Sequence, residues 1–170
     1  MFALFGSSIL AENSNAATEN IPAVGSTASS GIFSRSTPQS LPGSSTLSAA
    51  SVGYCTLNAT NVHFSTYSPN NLGANALVTC IGDSIRISYI SVTLYKDGLI
   101  EHYLTGSPSA GYASPQTPFE YNIFKTSCIS SAASVYWSTA VAHGNYASDG
   151  AYTSATSTSP RIQLYCGTSF

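Results

Sequence analysis

Catalysis in this chain would have to come from very few groups. Its imidazoles are His63, His102 and His143, and its carboxylates number seven. A general base needs an imidazole steered by a carboxylate, and Glu101 and His102 are adjacent in LYKDGLIEHYL (94–104). Neighbouring residues of a strand point to opposite faces, so Glu101 is badly placed to orient His102. His102 is therefore read as structural. A zinc site would need the three histidines to converge from distant segments. Asp83, Asp97 and Asp149 each adjoin a glycine but lack the alternating oxygen ligands of a calcium loop, so they are read as turn residues. There is no G-x-S-x-G elbow and no close pair of carboxylates suited to glycoside hydrolysis. No catalytic residue, metal ligand or cofactor is assigned, and an enzyme is not expected.

Aromatic residues offer a different chemistry. Tyr136, Trp137, Tyr146 and Tyr152 lie within one short stretch, and HGNYASDGAY (143–152) adds Asn145 and Asp149. Rings beside amide and carboxylate groups can stack on a sugar or dock on a protein. Tyr146, Tyr152, Asn145 and Asp149 are thus the candidate ligand-binding residues, with both tyrosines expected to be exposed. Trp137 is read instead as a core residue packed on a disulfide.

The four cysteines, Cys55, Cys80, Cys128 and Cys166, show no C-x-x-C spacing. An even set so widely spaced reads as two disulfides formed in an oxidising compartment. Three pairings are open, and Cys55–Cys80 with Cys128–Cys166 is favoured because each joins nearby segments without crossing. Each would contribute roughly 3–4 kcal/mol in the chain-entropy model.

Composition points the same way. Only 7% of residues are charged and the net charge is −2, so nothing here attracts a phosphate backbone and nucleic-acid binding is not expected. No apolar run reaches the 18 residues of a membrane span. Phe2 to Leu10 is apolar and SNAA (14–17) is small, but no Lys or Arg precedes Arg35. Residues 1–16 are read as a truncated or degenerate signal peptide. Residues 17–50 are rich in Ser, Thr and Pro without periodicity, which predicts a disordered linker or stalk. Asn58-Ala59-Thr60 fits the N-glycosylation acceptor pattern.

Elements that could position the aromatics begin after residue 50. Alternation marks strands at 73–80, 85–95 and 161–166, and the short apolar runs at 119–124 and 134–143 read as further strands. In 85–95 the apolar parity moves from Ile85 and Ile87 to Ile90, Val92 and Leu94, which predicts a bulge near Ser88–Tyr89. The charged tip Lys96-Asp97-Gly98 reads as a three-residue hairpin loop, with Leu94 opposite Ile100 and Val92 opposite His102. Six or seven short strands predict an all-β fold over 51–170, an antiparallel β-sandwich of the immunoglobulin-like kind.

One run carries a resemblance. Cys55-Thr56, His63-Phe64-Ser65-Thr66, Pro69, Val78-Thr79-Cys80, Ile85, Ile87 and Leu94-Tyr95-Lys96-Asp97-Gly98 resemble small exported proteins of actinomycetes of unknown function. The resemblance spans roughly residues 54 to 166, and includes a second cysteine pair and a Trp-bearing strand near YWSTAVA. It implies a disulfide-bonded β-domain outside the cytoplasm and no particular activity. The expected role is a secreted or surface-associated, non-enzymatic interaction module, with an extracellular protein or carbohydrate as partner. A secreted protease inhibitor presenting the loop 105–119, or a carbohydrate-binding module, is the alternative.

Overall fold

The computed structural model describes residues 28–35, 53–65, 71–97, 102–125 and 132–166. The expected signal segment, Cys128, Gly98, Ile100 and Glu101 lie outside them, as does most of the expected linker. The strands are β1 (Gly31–Ile32), β2 (Tyr54–Ala59), β3 (His63–Phe64), β4 (Leu72–Ile81), β5 (Ile85–Lys96), β6 (His102–Thr105), β7 (Ser109–Ala113), β8 (Phe119–Lys125), β9 (Ala133–Tyr146), β10 (Tyr152–Thr158) and β11 (Ile162–Tyr165).

They form two antiparallel sheets, one running β1-β2-β4 with β8 on the far side of β4 and β3 continuing β2. In the other, β10 and β11 pair successive stretches of β9, which pairs β5, which pairs β6 and β7. The orders β2-β4-β8 and β10-β9-β5-β6/β7 correspond to A-B-E and G-F-C-C′ of an immunoglobulin-like sandwich. The two inner faces meet in one core that includes Leu57, Leu72, Val78, Ile90, Val92 and Leu94. On β4, Ala74, Ala76, Val78 and Cys80 all face inward, as their alternation predicts. The bulge also falls where the parity shift places it: Ile87 opposes Gly144, yet Tyr89 opposes His143.

The disulfide Cys55–Cys80 joins directly opposed residues of β2 and β4, with Cα atoms 4.0 Å apart. It therefore staples one sheet, whereas the immunoglobulin disulfide bridges two. Cys166 is also disulfide-bonded.

Three expectations need correction. The linker is interrupted, because residues 28–35 belong to the sandwich. Phe33 is 1% exposed and β1 pairs β2. Ser29 also exchanges backbone hydrogen bonds with Thr158 of β10 (3.0 and 3.1 Å), so this strap bridges the edges of both sheets. Gly31 is where the strap comes closest, since a Cβ there would collide with the Thr156 carbonyl. The hairpin register is also different: Leu94 opposes Leu104, Tyr95 opposes Tyr103 and Lys96 opposes His102. The change is even, so His102 stays in register with the inward positions of β5. In this register the Thr93 and Thr105 hydroxyls meet at 3.0 Å, a cross-strand pair that the tightest turn would not form. Finally, β7 occupies five residues of the segment 105–119 that reads as a loop.

Serine and threonine line part of the interior because they link the sheets. Ser157 Oγ accepts from the Ala59 amide (2.8 Å) and donates to the Ser29 carbonyl (2.6 Å). Ser138 Oγ donates to the Thr60 carbonyl (2.9 Å). A buried hydroxyl satisfied on both sides costs little and fixes which strands meet.

Candidate functional site: the outer face of the second sheet

Odd-numbered residues of β9 point away from the core and set the geometry of this face. Tyr152 opposes Asn145, Asn145 opposes Arg86, and Arg86 opposes Tyr112. Four side chains thus form one rung across four strands, about 14 Å from end to end at the usual strand spacing. Both end residues are open to solvent, Tyr152 at 59% and Tyr112 at 48%. Asn145 is held by its amide, which donates to the Gly150 carbonyl at 2.9 Å.

Behind this rung sits His143. Its Nδ1 lies 3.1 Å from the Tyr152 hydroxyl, and the two rings are near-parallel with centroids 6.2 Å apart. On the other side the Tyr89 ring lies 5.4 Å away. The β5 bulge creates this contact: by adding a residue before Ile90 it returns the apolar set to the core and presents Tyr89 outward. Further along, Thr158, Thr139, Thr93 and Thr105 make a rung of four hydroxyls.

At the far end Trp137 also faces outward, although it is only 7% exposed. Tyr95 stacks on it at 5.2 Å and 6°, and the Arg161 guanidinium covers its ring at 4.0 Å. The expected packing of Trp137 on a disulfide is therefore replaced by a lid of Tyr95 and Arg161. The Trp137 ring is thus covered, in contrast to the exposed rings of Tyr152 and Tyr112.

The four residues singled out in HGNYASDGAY separate. Tyr152 and Asn145 come together as described. Asp149 sits in the β9–β10 turn, where its Oδ1 accepts from the Ala151 amide (2.9 Å) and its Oδ2 pairs with Arg35 at 3.4 Å. Gly150 next to it has φ 70°, which fits the turn reading.

Tyr146, expected to be exposed, is 1% exposed and belongs to the core. Its hydroxyl stands inside the β1–β2 ladder. The Phe33 amide donates to the Cys55 carbonyl at 3.0 Å in the normal way. The reciprocal bond is relayed: the Cys55 amide donates to Tyr146 Oη (3.2 Å), which donates to the Phe33 carbonyl (2.7 Å). Arg35 lies over the same ring at 4.1 Å and is gripped by Asp83 and Ser148. Tyr146 therefore locks the strap in place and is not a ligand contact.

Sequence reasoning missed Arg86, Tyr89 and Tyr112, and weighed His143 only as a metal ligand or base. Arg86 was legible as the polar residue between inward Ile85 and Ile87. Tyr112 lay in a presumed loop.

Lys96 faces inward beside Tyr136, and burial lowers the ammonium pKa while raising that of the phenol. His63 lies on the first sheet and His143 on the second. Among the described residues, no three His, Cys, Asp or Glu side chains group as metal ligands, and no helix is long and apolar enough to cross a membrane.

No family model, curated protein or solved structure matches the chain.

Proposed function

We propose that this protein is an exported, non-enzymatic recognition domain that binds carbohydrate through the outer face of its second sheet. The observation that carries the reading is the rung Tyr152–Asn145–Arg86–Tyr112, with two exposed phenols flanking polar side chains on a rigid four-strand support. Exposed rings offer flat apolar surface to a sugar, and the amide and guanidinium between them offer hydrogen bonds. Strand-borne side chains are pre-ordered, so little entropy is lost on binding. Export is supported by the Cys55–Cys80 disulfide and the low charge. The inhibitor reading is not advanced, because the middle of 105–119 is laid down as β7 against β5.

Affinity electrophoresis against a panel of soluble polysaccharides tests this. The wild-type protein is expected to be retarded by at least one polymer. A Tyr152→Ala/Tyr112→Ala double variant is expected to run freely while melting at the same temperature. Absence of retardation by every polymer, or retention equal to wild type in the double variant, would overturn the reading.

A further inference from the structure

Charge on this face is distributed in a way that narrows the ligand. Of the four Lys and Arg residues whose side chains the structure describes, Arg35 is held by Asp83 and Asp149. Arg161 covers Trp137 and pairs with Asp97 at 3.8 Å. Lys96 is buried in the core. Arg86 differs from these. It is exposed, its cross-strand neighbours are the neutral Asn145 and Tyr112, and among the described residues it makes no ion pair.

The described carboxylates are all committed elsewhere. Asp83, Asp97 and Asp149 are paired with arginines, and Glu120 lies on the first sheet, accepting from Asn75 at 2.8 Å. A guanidinium is planar and meets a carboxylate with two parallel hydrogen bonds. Tyr112 stands one strand spacing from Arg86 and Tyr152 two, about 5 and 10 Å. A chain of sugar rings lying across the strands can rest on both phenols while a ring carboxylate meets Arg86.

Resting on the carbohydrate-binding reading above, we infer that the ligand is an acidic polysaccharide built from uronic acids, selected by Arg86 between Tyr112 and Tyr152. A lone guanidinium suits a carboxylate at one point of a chain. Densely sulfated polymers call for a basic cluster, which the described part of this face lacks.

The test compares polygalacturonate with its fully methyl-esterified form, which keeps the sugar rings and removes the charge. Affinity is read by calorimetry for wild type, Arg86→Gln, Arg86→Lys and Tyr152→Ala. Wild type is expected to favour the acid over the ester about tenfold or more, the scale of one charge-assisted bond. Arg86→Gln should erase that ratio, Arg86→Lys should restore part of it, and Tyr152→Ala should weaken both ligands. Equal affinity for acid and ester, or selectivity that survives Arg86→Gln, overturns the uronate assignment and leaves carbohydrate binding standing. Tighter binding to a sulfated polymer than to polygalacturonate also overturns it. Failure to bind any polymer, charged or neutral, removes both readings.

Discussion

Removing one oxygen atom should loosen the N-terminal strap. Tyr146→Phe keeps the ring in the core and under Arg35 but deletes the hydroxyl that bridges Cys55 N–H and Phe33 C=O. Cys55 and Phe33 are essentially inaccessible to solvent, so both backbone groups lose their partner in a dry environment. Each stranded group costs about 1–3 kcal/mol, and a slight closure of β1 onto β2 recovers part of it. The expected loss is therefore about 2–4 kcal/mol, equivalent to a melting shift of roughly 10 °C for a domain of this size. Urea unfolding gives the free energy, and chymotrypsin cleavage after Phe33 reports opening of the strap alone. Cleavage should accelerate at least as strongly as global stability falls, because the lost bonds belong to the strap. A change below about 0.5 kcal/mol with unaltered cleavage would refute the idea that this hydroxyl is part of the ladder, since surface changes alone fall in that range.

Two further outcomes follow from the same packing. Cys55→Ala/Cys80→Ala should lower unfolding free energy by about 3.5 kcal/mol, from a sequence separation of 25 in the chain-entropy relation, as read by denaturant titration. Burial raises the pKa of Tyr136 in the folded protein above its ordinary value of about 10. Below that pH both states are protonated and nothing changes. As pH rises past it the unfolded chain ionises first and stability falls, so Tyr136→Phe should lose less stability than wild type between neutral pH and pH ~11.

Much of the framework is visible in the sequence because its strands alternate. β4, β5 and β11 each declare an inward face, and the parity shift in β5 locates the bulge. What escapes has physical reasons. β10 turns Thr153, Ala155 and Ser157 inward, where hydroxyls bond the neighbouring sheet, so no apolar alternation betrays it. β1 is two residues long and held by Phe33, Arg35 and the Tyr146 hydroxyl, all depending on partners far away in the chain. For the same reason Tyr146 looked like an exposed loop tyrosine. The hairpin register, with Leu94 opposite Leu104, is not one that turn chemistry alone reveals. Half of the candidate site was legible, in Tyr152 and Asn145. Arg86 and Tyr112 join it only once β9, β5 and β7 are placed side by side.

The most direct test of the binding face is residue-resolved mapping. A short oligomer of the tightest-binding polysaccharide would be titrated into isotope-labelled protein and amide shifts followed by NMR. The largest shifts are expected at Arg86, Tyr112, His143, Asn145 and Tyr152, with little change around Tyr54 and Ile81 on the opposite sheet. Shifts centred on Tyr54 and Ile81, or none on the Tyr152–Tyr112 rung at saturating ligand, would contradict it.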